Sequence, residues 1–121
     1  CMSGQFVISI GAAYPDRFAA IASYHGVKII TDQADSPHLI ANKIKGEVYL
    51  GYASDDPYVP AEELAAMPGA MQDAGIEHTI EVYPGTEHGY VFPSRAATYV
   101  KHAAERHWET MLALFDRRLR S

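Results

Sequence analysis

A chain of 121 residues with 48% hydrophobic and 21% charged residues has the length and composition of one modest domain, enough for a single core and too little for two. Its formal net charge of −5, with basic residues gathered only in the closing RRLR, excludes a nucleic-acid-binding face. No apolar run reaches the roughly 18 residues that cross a bilayer, no secretory leader is visible and the one cysteine can form no internal disulfide; the expectation is a cytoplasmic protein with no membrane partner.

From Gly4 to Tyr14 the residues are small or apolar on nearly every side, which predicts a short helix buried in a larger fold and ended by Pro15 and Asp16. Phe18 to Tyr24 (FAAIASY) reads as a buried strand of a parallel sheet, closed by His25 and Gly26. Ser36 before Pro37 is a capped start for a short helix. Glu47 to Ala53 (EVYLGYA), β-branched and aromatic, is a second strand that runs into the turn SDDPYVP. Pro60 opens a helix through AEELAAM, which Pro68 and Gly69 should interrupt or kink before it closes at Gly75. His78 to Pro84 is a third strand, followed by the loop GTEHGYVFPS. A long helix from about Ala97 to Leu119 carries Ala104, Trp108, Met111, Leu112, Phe115 and Leu119 at helical spacing, which assigns Trp108 to the core.

Strands alternating with helices call for an α/β fold with a parallel sheet wrapped by helices. Three strands are few, and the first element is a helix with no strand before it, so residues 1–121 read as the second half of a doubly wound sheet, entered part-way. In such sheets functional groups gather at the carboxyl ends of the strands. Cys1 before the first helix, Asp55 and Asp56 after the second strand, and His88 after the third occupy three such places, in the order nucleophile, acid, histidine of α/β-hydrolases. The chemistry suits the types. A helix N-terminus favours thiolate, an imidazole takes and returns the proton, and a carboxylate behind it holds the imidazole's tautomer. Tyr24 and His25 at the end of the first strand, and Tyr90 and Phe92 after His88, are candidate pocket walls. For metal the expectation is none: no histidine pair has zinc-site spacing, His102 and His107 being five apart.

With those residues in view, the chain resembles the dienelactone hydrolase (carboxymethylenebutenolidase) family of α/β-hydrolases, across its whole length and as the C-terminal half of that fold. CMSG is similar to the end of the family's nucleophile elbow, Gly-x-Cys-x-(Gly/Ser)-Gly; DDPYVP to its acid motif; TEHGY to its histidine loop; AAERHWETMLALF to a terminal helix of bacterial members. The resemblance implies that Cys1 is the nucleophile, Asp56 rather than Asp55 the acid, His88 the base, and the Met2 N–H one oxyanion donor. It implies hydrolysis of small esters or lactones through a thioacyl-enzyme, with no cofactor. The family's substrate-gripping arginine a few residues after the histidine has no counterpart in GYVF, and the nearest is Arg95. Two other readings remain: a noncatalytic hydrolase-like binding or assembly module, and a thiol redox protein acting through Cys1. The first strand, read as central, has no partner on one flank. That edge predicts association with an upstream polypeptide half or with a second copy.

Overall fold

Alternate residues of the middle strand go to opposite faces of the sheet, and both faces are covered. The computed structural model describes residues 1–120. Its elements in chain order are α1 (Gly4–Ala13), β1 (Ala20–Tyr24), a 3₁₀ segment (Pro37–Lys43), β2 (Glu47–Asp55), α2 (Ala61–Ala74), β3 (His78–Glu87) and α3 (Lys101–Leu119). The sheet order is β1-β2-β3, with both pairs parallel, so the architecture is α/β as expected. Val48, Leu50 and Tyr52 of β2 pack with Ile8, Ile21, Ile44, Met67 and Met71 on the side of α1, α2 and the 3₁₀ segment. Tyr49 and Ala53 pack with Tyr24, Tyr83, Ala103, Ala104 and Leu114 on the side of α3. Among the described residues β1 pairs only with β2, and no helix is long and apolar enough to cross a membrane.

Two buried carboxylates fasten the periphery to this frame. Glu63 of α2 accepts the backbone N–H groups of Ile29 (3.0 Å) and Ile30 (3.2 Å), holding the loop after β1. Glu47 at the start of β2 receives the guanidinium groups of Arg117 and Arg118, and Arg118 also reaches Glu77. Arg117 and Arg118 therefore clamp α3 to the sheet, while Arg120 pairs with Asp116 of α3 itself. The Arg117 hydrogen bond, ahead of the others, holds the Glu47 carboxyl below its usual range.

Four expectations are corrected by the structure. Of the interruption or kink expected at Pro68, the interruption is absent: the helix is continuous to Ala74 and closes on Gly75, whose φ of +68° suits a residue without a Cβ. An internal proline costs about 3 kcal/mol. Met67 and Met71 on either side of it are fully buried, worth about 1.5–3 kcal/mol each, which offsets the loss. Ser36 makes no capping bond; its Oγ instead accepts the Thr31 N–H at 2.8 Å and pairs with His38 Nδ1 at 2.6 Å, and the turn it precedes is 3₁₀. The last helix begins at Lys101 rather than Ala97, and Trp108 is half exposed. The buried face of α3 is Ala103, Ala104, His107, Thr110 and Leu114, displaced from the apolar stripe because two polar members have partners inside. Thr110 Oγ1 lies 2.7 Å from Tyr24 Oη, and the His107 ring lies 3.6 Å from that of Tyr24. Among the described residues α1 is covered on one face: Ile8, Gly11 and Ala12 are buried while Phe6 and Ile10 are exposed.

Candidate active site

The carboxyl ends of β2 and β3 are laced together by side chains. Ser54 N–H donates to Thr86 Oγ1 (3.2 Å) and Thr86 N–H to Ser54 Oγ (3.1 Å). The register shifts between Ala53 and Asp55, which pairs with Glu87, so β3 spends extra residues where the strands end. This sets the two following loops side by side. Asp56 opens a tight turn: its Oδ1 accepts the Tyr58 N–H at 2.9 Å, and its carbonyl accepts the Val59 N–H at 3.2 Å. The remaining oxygen, Oδ2, lies 2.7 Å from His88 Nδ1. Both side chains are shielded, Asp56 at 2% and His88 at 14% exposure. Asp55 faces solvent and takes a bond from Ser54 Oγ instead. With Nδ1 committed to Asp56, His88 turns Nε2 to the cavity.

Cys1 is fixed from the other side. Its nitrogen donates to the Tyr24 carbonyl (3.1 Å), and its carbonyl accepts from Gly4 N–H (3.1 Å) and Val27 N–H (3.2 Å). The first turn of α1 therefore lies directly on the loop after β1, and the contact is so close that two glycines meet there. A Cβ on Gly4 would stand 2.7 Å from the Gly26 Cα, and one on Gly26 would stand 2.1 Å from Ser23 Oγ. The glycine of CMSG thus has a packing reason. Among the described residues the Met2 N–H has no acceptor, and its side chain is exposed on the cavity rim.

The structure brings a second histidine to the sulfur. His25 Nδ1 lies 3.3 Å from Cys1 Sγ, and the ligating atoms of Cys1, His25 and His88 all lie within 4.8 Å of one another. His25 is 2% exposed, has a φ of +41°, and donates its N–H to the Gly51 carbonyl at 2.7 Å. Burial above all pushes its pKa down to about 3, so the ring is neutral at physiological pH. Its edge meets His88, Tyr90 and Phe92 at centroid distances of 4.9, 5.2 and 5.9 Å. Sequence reasoning placed His25 on the cleft wall but missed its contact with sulfur. The available sequence signal was a histidine at a strand end, followed by a glycine.

Two cavities meet at Cys1. One, of about 630 Å³, is bounded by Met2, Lys28, Tyr58, Glu87, His88 and Arg95. The other, of about 550 Å³, is lined by Tyr24, His25, Phe92, Tyr99, His107 and Trp108. Tyr24 and Phe92 thus border open space, whereas Tyr90 is fully buried and supports His25 from behind. Arg95 folds over the Phe92 ring at 5.2 Å.

Comparison with known proteins gives the family and the fold. The sequence profile of the Dienelactone hydrolase family matches residues 1–119. The "Putative carboxymethylenebutenolidase" of Synechocystis sp. is 28% identical over 120 residues, covering 97% of this chain and 48% of its own. The "Protein usf" of Aquifex pyrophilus is 23% identical over 115 residues, covering 95% of this chain and 47% of its own. The chain therefore spans about half the length of the curated relatives it matches. Among solved structures, a dienelactone hydrolase-like promiscuous phosphotriesterase from metagenomic libraries superposes with a TM-score of 0.72 at 21% identity, over 88% of this chain and 45% of that one. That likeness carries the fold.

Proposed function

The chain belongs to the dienelactone hydrolase family, and from that premise we propose that it carries the Cys-His-Asp centre of an ester or lactone hydrolase. It corresponds in this reading to the C-terminal part of a single α/β-hydrolase domain, starting at the nucleophile elbow. The observation that carries the proposal is the shielded His88–Asp56 pair, 2.7 Å apart, opening onto the Cys1 sulfur.

In the acylation step the thiol proton passes to His88 Nε2 and the thiolate attacks the ester carbonyl, forming an S–C bond. The tetrahedral oxygen takes the Met2 N–H as one donor. As the C–O bond breaks, His88 returns the proton to the leaving alkoxide. A water then attacks the thioester, gives its proton to His88, and releases the carboxylic acid while Cys1 recovers its thiol. Asp56 holds His88 in the tautomer with the proton on Nδ1 and steadies the imidazolium in both steps. The side chains suffice for this cycle, and the protein acts in the cytoplasm on a small-molecule substrate.

The β1 edge that has no partner among the described residues, with the exposed Phe6 and Ile10 on α1, fits coverage by an upstream polypeptide half or by a second copy. Light scattering behind size exclusion tests this, and a well-folded free species of about 13 kDa contradicts it. Catalysis is tested on the full gene product with a p-nitrophenyl ester. Cys1→Ala and His88→Ala should each lower turnover by at least about 10⁴-fold. Unchanged turnover in both leaves a noncatalytic module as the reading.

A further inference from the structure

Three soft or borderline donors surround one point in this structure, and they come from three different loops. Their ligating atoms lie within 4.8 Å of one another. In a tetrahedral zinc site, with Zn–S near about 2.3 Å and Zn–N near about 2.0–2.1 Å, neighbouring donors stand about 3.3–3.7 Å apart. Cys1 Sγ and His25 Nδ1 are already at 3.3 Å. His88 has its Nδ1 on the Asp56 carboxylate at 2.7 Å, which is the outer-sphere arrangement that orients and strengthens a metal-bound imidazole. His25 is held by its own backbone bond to Gly51 and by the rings of Tyr90 and Phe92, so its position needs no ordering on binding. The cavity of about 630 Å³ beside Cys1 and His88 supplies an entry path and room for a fourth ligand.

We propose that Cys1, His25 and His88 form a site for a thiophilic divalent cation of the zinc class, in which metal occupancy and ester turnover exclude each other. Binding forms one S–metal and two N–metal bonds and releases the thiol proton to solvent. The exclusion rests on the hydrolase reading above, since the cation would occupy the sulfur and the His88 nitrogen that hydrolysis uses; the binding itself does not rest on it. Sequence spacing conceals such a site because its members stand at positions 1, 25 and 88.

Titration of the full chain with Co²⁺ in thiol-free buffer tests the site. The expected result is a thiolate-to-cobalt charge-transfer band that saturates at one equivalent and is displaced by Zn²⁺. Cys1→Ser should abolish the band, His25→Ala should weaken Co²⁺ binding at least 100-fold, and Asp56→Asn should weaken it about 10–100-fold. His102→Ala, on the exposed face of α3, should leave the affinity as it is. No band in the folded wild-type chain overturns the proposal, as does unchanged affinity in His25→Ala; if that variant fails to fold, the wild-type and Asp56→Asn titrations decide. Zn²⁺ added to the ester assay should inhibit over the range in which it displaces Co²⁺, and full occupancy with undiminished turnover overturns the exclusion. A chain that binds Co²⁺ but hydrolyses no ester supports the site and contradicts the hydrolase reading.

Discussion

His88 and Asp56 are fixed by the β2–β3 pair, whereas Cys1 and His25 depend on β1, which pairs on one side only among the described residues. The acid–base side is over-determined: two strand ends tied through Ser54 and Thr86, an Asx turn at Asp56, and both carboxylate oxygens occupied. The nucleophile side relies on tight backbone contact, a glycine against a glycine and a histidine in left-handed conformation, beneath a helix with an uncovered face. The hydrogen bonds that orient the base therefore come from the β2 and β3 ends alone. Placement of the sulfur is sensitive to whatever packs against β1 and α1.

The largest expected break in this contrast comes from the acid. Asp56→Asn keeps the shape of the side chain but lets the imidazole adopt the wrong tautomer, and turnover should fall on the order of 10³–10⁴-fold with little change in the melting curve. A loss under tenfold would mean that Asp56 does not orient His88. On the nucleophile side the damage should be structural. Gly4→Ala forces a Cβ to within 2.7 Å of the Gly26 backbone, so α1 must lift, at about 1–3 kcal/mol. Denaturant unfolding should show that loss, and thiol alkylation at Cys1 should speed up. Gly69→Ala in α2 makes the opposite case, since nothing lies within 4 Å of its added Cβ. The substitution should stabilise the chain by about 0.5–1 kcal/mol and leave Cys1 alkylation as it was.

A smaller effect separates the two sides by pH. His107, packed on Tyr24 beneath the β1 side, has its pKa pushed by burial from 6.5 down to about 4. Between those values the unfolded chain holds more protons than the folded one. Stability from this group is thus full above about 6.5, falls as pH drops, and levels off below about 4. His107→Gln should flatten that part of the unfolding profile. An unaltered slope would place the acid sensitivity elsewhere.

Much of this was readable from residue order. All three strands appear where an apolar run, β-branching and alternation put them; β1 begins at Ala20 rather than Phe18, and β2 and β3 extend past the expected ends to Asp55 and Glu87, next to Asp56 and His88. Asp56 and His88 meet as the motif order predicts, because parallel strands deliver their following loops to one edge. What sequence periodicity could not yield was the phase of α3, where His107 and Thr110 face inward because Tyr24 provides a ring and a hydroxyl for them. Nor could it reveal the partner that Ser36 Oγ chose in Thr31, or the burial of Met67 and Met71 that carries α2 across Pro68. The Cys1–His25 contact was hidden for the same reason: it depends on a turn geometry after β1 that local sequence does not specify.

The central claim is that Cys1 attacks and is acylated. Rapid acid quenching of the full chain during turnover of p-nitrophenyl acetate, followed by peptide mass analysis, reads this directly. The account predicts one acetyl group on the Cys1 peptide, removable by neutral hydroxylamine as a thioester should be, and no label at that position in Cys1→Ala under the same treatment. Sustained turnover with an unmodified Cys1 peptide, or a stable acyl group on another residue, would contradict it.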